Sequence, residues 1–181
     1  MESVTRGKTT DMAYIAVFAV IIAICAWICI PAAVPFTLQT FGVFLTLVVL
    51  GGKRGTLAVL VYILLGMVGV PVFSGFKGGI GSLFGSTGGY ILGFLLSGLV
   101  MWLFEMLFGK KKWVLAVSMI VGLLACYLFG TIWFMVIYTS QSGAIGIGTA
   151  LAWCVFPFVV PDVVKLILAF VVGKRLKRAI Q

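Results

Sequence analysis

Asp162 and Lys165 stand one helical turn apart in the last apolar stretch of a chain whose hydrophobic segments hold almost no other charge. The i, i+3 spacing puts both side chains on one helix face. A charge at mid-bilayer costs about 2.5–3.5 kcal/mol on insertion scales and persists where it is paired or lines a polar cavity. Such a pair can offer a fixed acceptor and donor to a polar ligand, relay a proton or ion, or pin helices together. Twelve residues separate Asp162 from Lys174, about 18 Å of helix at 1.5 Å per residue, so the pair falls well inside the bilayer. Pro157 and Pro161 loosen the helix just above it. Enzymatic chemistry has little to stand on. The chain has no His, and no second carboxylate lies near Asp162 in sequence. Cys25, Cys29, Cys126 and Cys154 sit in apolar runs without C-x-x-C spacing and read as small buried hydrophobes. Neither a metal nor a cofactor site is encoded, and a non-enzyme is expected.

Three further segments carry candidate contacts. In residues 35–41, Thr37, Gln39 and Thr40 supply neutral donors and acceptors beside aromatic faces; Thr37 could equally be a helix N-cap. Residues 69–85 form a glycine-rich stretch with almost no charge. Phe73 and Phe76 there could stack on a flat ligand, Gly75 and its fellow glycines admit close backbone approach, and Lys77 adds a cation. In residues 85–90, Ser86 or Thr87 could cap the following helix, and the amides of Thr87, Gly88 and Gly89 could receive a carboxylate. Tyr90 follows as an aromatic wall. The spacing of a nucleotide-binding phosphate loop is missing here and at residues 51–56.

Positioning these groups falls to membrane helices. Of 181 residues, 63% are hydrophobic and 9% charged, with a mean hydropathy of +1.29, which excludes an ordinary soluble domain and reads as one membrane-embedded binding domain over 1–181. The net charge of +9 comes from short clusters between apolar runs and not from a contiguous basic face, so nucleic acid is not an expected partner. The first apolar run is too long for a signal peptide and lacks a small-residue cleavage site, so it is read as a retained helix. Apolar runs predict an all-α bundle of six spans, near 12–30, 37–51, 55–70, 88–108, 113–137 and 150–173, the second and third short. Arg6, Lys8, Lys53, Arg54, the lysines at 110–112, Lys174, Arg175, Lys177 and Arg178 then share one side, and Lys77 alone faces the other. Both termini are expected to be cytoplasmic. Glu105 reads as an interfacial charge paired with the 110–112 lysines. The outward connections, 31–37, 71–87 and 138–149, are Gly-rich and partly apolar. The middle one is expected to form no stable helix and to cover a pocket as a lid or re-entrant loop.

Taken together, residues 35–41, 69–73, 85–94, Pro157 and Asp162-x-x-Lys165 resemble the biotin-specific S components of energy-coupling-factor (ECF) transporters, the BioY family. Order and spacing match from about residue 12 to 175. Ser86 departs from the pattern, which usually has proline before Thr-Gly-Gly-Tyr. The resemblance implies a six-helix S-component bundle in a prokaryotic plasma membrane that captures biotin from outside and carries no ATPase of its own. The implied partners are a membrane coupling subunit of the EcfT type and two cytoplasmic ABC-type ATPase subunits. It also implies docking on the coupling subunit through small residues of the first helix, here Ala16, Ala19 and Ala23, which internal packing of that helix would explain equally. For biotin, Asp162 would accept from a ureido N–H while Lys165 keeps it ionised or binds a ligand oxygen. Phe73 and Tyr90 would form walls, Thr37 and Gln39 would add hydrogen bonds, and the Thr87–Gly89 amides, with Lys77, would hold the carboxylate. Open alternatives are a different vitamin on the same architecture, a stand-alone channel or secondary transporter using Asp162 and Lys165 as an ion relay, and a structural subunit without ligand.

Overall fold

The computed structural model describes residues 7–31 and 34–180; Arg6, one of the topology charges, lies outside the described residues. The chain order is α1 (Lys8–Trp27), β1 (Cys29–Ile30), β2 (Phe36–Thr37), α2 (Gln39–Leu50), α3 (Gly52–Met67), α4 (Ile80–Leu83), α5 (Gly88–Phe108), α6 (Lys112–Ser142), α7 (Ile147–Cys154) and α8 (Phe156–Ile180). Helices α1, α5 and α6 are each long and apolar enough to cross a membrane, and α7 with α8 makes a fourth such stretch, Ile147–Ala179. The molecule is therefore an all-α, multi-pass membrane bundle. With 12 and 16 residues, α2 and α3 fall short of the ~20 that a spanning helix needs.

Helix α2 lies at the centre, packed against α1, α3, α5 and α8. Between Gln39 and Val49 every side chain but that of Phe41 is buried. A helix apolar around its whole circumference belongs inside protein, and here four longer helices surround it. The outer faces of the long helices are the reverse of a soluble protein's. Val17, Val20 and Ile24 on α1, Ile120, Leu124 and Leu128 on α6, and Val163, Ile167 and Val171 on α8 are exposed, as suits contact with acyl chains.

Charges collect at one end of the bundle. Arg54 pairs with Asp11 at 2.7 Å. Glu105 accepts the Gly52 N–H that opens α3 and pairs with Lys110 at 3.2 Å, in the place its sequence spacing predicts. Close approach is built in at this turn: Gly51 has φ 81°, and a Cβ on Gly52 would meet the Trp102 Cα at 2.4 Å.

Several expectations need correction. Residues 29–30 and 36–37 pair as an antiparallel ribbon, Cys29 with Thr37 and Ile30 with Phe36. The glycine-rich stretch does hold one helical turn, α4, because the Gly79 N–H bonds the Gly66 carbonyl, the Ser82 hydroxyl bonds the Gly78 carbonyl, and Leu83 is buried. Helix α6 runs 31 residues, about 46 Å, so residues 138–142 are helical and not connecting loop. The last apolar stretch breaks at Val155 (φ −124°, ψ −60°) into α7 and α8. On α1, Ala19 and Ala23 are 1% and 3% exposed, inside the main core. These two alanines serve internal packing, which leaves Ala16, exposed, as the one expected docking alanine on the surface.

Candidate ligand-binding site

The charged pair is buried, Asp162 at 3% and Lys165 at 5% exposure. The Lys165 ammonium donates to Asp162 Oδ1 at 2.8 Å and to the Thr37 carbonyl at 2.6 Å, and stands 4.2 Å from the centre of the Phe36 ring. Asp162 Oδ2 accepts the Tyr127 hydroxyl at 2.6 Å. Each carboxylate oxygen thus has one partner and a lone pair to spare. Helix α8 supplies the pair, the β2 edge supplies an acceptor and a cation–π face, and α6 supplies the tether. Pro161 lies inside α8 and lacks the N–H that would bond the Pro157 carbonyl, which relaxes the turn beside Asp162.

This network forms part of the wall of a cavity of about 350 Å³, within the size range of small-molecule sites. On the α2 side the Gln39 amide donates to the Tyr62 hydroxyl at 2.8 Å, which leaves its carbonyl oxygen as an acceptor. Thr37 Oγ1 accepts the Gln39 N–H at 3.2 Å, the N-cap-like bond read as an alternative from sequence. Phe73 packs edge-on against Tyr62, and the Tyr90 hydroxyl is 3.0 Å from Thr131 Oγ1. The glycine-rich segment closes another side through Phe73, Ser74, Lys77, Gly81, Ser82, Gly85 and Ser86.

Of the residues singled out from sequence, Thr37, Gln39, Phe73, Lys77, Thr87, Tyr90, Asp162 and Lys165 come together around this one cavity. Gly75, Gly88 and Gly89 are not among its lining residues. Gly75 turns the chain with φ 70°. A Cβ on Gly88 would meet the Leu83 carbonyl oxygen at 1.7 Å, and one on Gly89 the Trp133 Cβ at 2.2 Å, so both serve close packing. The Gly88 N–H is engaged by the Gly85 carbonyl, and Thr87 makes no side-chain cap. Phe76 does not reach the cavity; it stacks on Trp27 with ring centres 5.1 Å apart. Tyr127, Phe158, Cys126 and Cys154 line the cavity without having been singled out as contacts. The one signal for Tyr127 was that a buried hydroxyl in an apolar span needs a partner.

The covering segment is fastened to α1. The Trp27 indole N–H donates to the Pro71 carbonyl at 2.8 Å, while its ring carries Phe76, the one non-glycine residue at positive φ (57°) among the described residues. Trp27→Phe keeps an aromatic ring beneath Phe76 and deletes the donor, a loss of about 0.5–1.5 kcal/mol for the hydrogen bond. Amide hydrogen exchange across residues 69–79 is expected to quicken about two- to tenfold. Unaltered exchange would mean that this contact does not hold the segment.

The BioY family model matches residues 1–181. A biotin transporter BioY of Thermotoga maritima is 43% identical over 163 residues, 90% of this chain and 92% of that protein. A probable biotin transporter BioY of Pyrococcus horikoshii is 37% identical over 171 residues, 94% and 98% of the two chains. A crystal structure of the S component for biotin from an ECF-type ABC transporter superposes with a TM-score of 0.82 at 26% identity, covering 98% of this chain and 95% of the other. With its full length matched by the family model and with relatives this similar along nine-tenths of their length, the chain belongs to the BioY family.

Proposed function

We propose that the chain is the high-affinity biotin-binding S component of an ECF vitamin transporter, a carrier component and not an enzyme. The observation that carries this reading is the buried Tyr127–Asp162–Lys165 network on the wall of a vitamin-sized cavity. Biotin presents a planar ureido group with two N–H donors and a carbonyl, an apolar thioether ring, and a chain ending in a carboxylate. Asp162 accepts one ureido N–H, while Lys165 holds its Oδ1 at 2.8 Å. Thr37 and Gln39 complete the polar contacts at that end, and Phe73 and Tyr90 enclose the rings. Lys77, which lines the cavity and has no carboxylate partner among the described residues, takes the ligand carboxylate, with Ser86 and Thr87 beside it. The Gly88 amide plays no part, because the Gly85 carbonyl engages it.

The whole chain, 1–181, works as one domain in a prokaryotic plasma membrane. Six segments run across it, counting the short, protein-enclosed α2 and α3, with both termini cytoplasmic by the positive-inside rule and the glycine-rich segment covering the cavity from outside. ATP-driven delivery then falls to an EcfT-type coupling subunit and two ABC-type ATPases, docked through the exposed face of α1.

Calorimetric titration of ligand-stripped protein in detergent tests the reading. Biotin is expected to bind tightly and saturably, desthiobiotin to bind through its retained ureido group, and riboflavin to give no heat. Absence of biotin binding would overturn it and turn attention to ion flux through liposomes containing this chain alone. Tyr127→Phe leaves the charge and removes its tether, so biotin affinity is expected to fall about three- to tenfold. If affinity is unchanged, Tyr127 has no positioning role.

A further inference from the structure

A second crevice lies at the far end of the bundle from the ligand cavity. Glu105 on its wall follows Thr87 by eighteen residues along α5, about 27 Å of helix. The crevice is about 50 Å³, too small for a vitamin, and is lined by Gly51, Gly52, Glu105, Ser118, Lys111 and Lys177 among others. Two separate elements deliver cations to it: Lys110 and Lys111 from the α5–α6 turn, and Lys177 from the end of α8. Lys177 stands within charge range of both Glu105 and Lys110. The carboxylate at this crevice, Glu105, is already engaged by the Gly52 N–H and Lys110. Topology signalling accounts for the number of these charges but not for their convergence from both elements, where they repel one another.

The surface beside them is apolar. Phe104, Phe108 and Trp113 make a run of ring contacts across the same turn, Phe108 and Trp113 are 49% and 55% exposed, and Leu103, Met106 and Leu107 are exposed next to them. Aromatic rings of this kind sit at headgroup level, and basic pockets between membrane helices recognise anionic headgroups. We propose that this crevice seats an anionic diacyl phospholipid. Its phosphate is held by Lys111 and Lys177, and its acyl chains run along the exposed face of α5 past Phe108 and Trp113. An acidic protein surface would satisfy the cations but has no use for the flanking apolar strip.

Native mass spectrometry of the full chain in detergent, offered equal phosphatidylglycerol and phosphatidylcholine, tests this. Phosphatidylglycerol is expected to be retained about tenfold over phosphatidylcholine. The double variant K111Q/K177Q should bring the two to parity, and K8Q should not. The charge-keeping K111R/K177R guards against misfolding and is expected to retain the preference. Equal retention by the native chain, an undiminished preference in the glutamine variant, or loss in the arginine variant would each overturn the proposal. So would displacement of the lipid by glycerol phosphate at equal concentration, which would mark a free-phosphate site. Unchanged lipid retention in the glutamine variant with impaired assembly on the coupling module would reassign the surface to a protein partner.

Discussion

Asp162→Asn is expected to weaken biotin binding about 10- to 100-fold, the 1.5–3 kcal/mol range of a hydrogen bond to a charged group. The substitution preserves shape. It leaves one acceptor oxygen and turns the other into an NH₂ donor, so Lys165 and Tyr127 no longer both find an acceptor there and the ureido N–H meets a neutral amide. Lys165 still has the Thr37 carbonyl and the Phe36 ring, so the fold should survive and calorimetry should read the change as affinity. Unchanged affinity would sink the assignment of Asp162 to the ligand. A purely structural ion pair is separated from a binding pair by a second comparison. Asp162→Leu alone strands a buried ammonium and is expected to cost stability on the order of 3–5 kcal/mol, whereas Asp162→Leu with Lys165→Met removes both charges and is expected to be near neutral. If the double variant still binds biotin as the native chain does, the pair makes no contact with the ligand.

The pair was legible in sequence because charge is rare in this chain's apolar runs, and a rare costly residue in a membrane helix has few explanations. Thr37, Gln39 and the glycine-rich segment were legible for the related reason that polar or helix-breaking residues in hydrophobic surroundings must be buried against something. Tyr127 was not. Its hydroxyl is one polar atom on an otherwise apolar ring, thirty-five positions from the carboxylate it tethers, and no periodicity links a residue on α6 to one on α8. The alanines of α1 were ambiguous for a physical reason as well: small residues permit close helix approach whether the neighbour is a partner or the molecule's own core, and α2 and α3 both pack on α1. The one-turn α4 escaped because its support is tertiary, from the Gly66 carbonyl and a buried Leu83. Glycine content argued correctly against intrinsic helix stability and could not report those contacts.

Gly88→Ala is expected to be among the most disruptive single methyl additions in the molecule. The new Cβ would lie 1.7 Å from the Leu83 carbonyl oxygen and 2.4 Å from the carbonyl carbon. Both are backbone atoms, so no side-chain rotation relieves the clash and the α4 turn must move off the start of α5. Overpacking of this kind costs about 1–3 kcal/mol and occasionally more. The displaced segment carries Gly81, Ser82 and Gly85 of the cavity wall and the Gly85 carbonyl that accepts the Trp133 indole N–H, so biotin should dissociate faster as well as the protein melting earlier. Alanine keeps the backbone N–H, so a site built on the Gly88 amide would tolerate the change while one built on close packing would not. Gly81→Ala is the matched control: a Cβ there meets nothing within 4 Å, and neither the melting temperature nor the release rate of biotin should move. Native-like melting and release in Gly88→Ala would mean that the contact between α4 and α5 does not seat the covering segment, and that its closure depends instead on the Trp27 side.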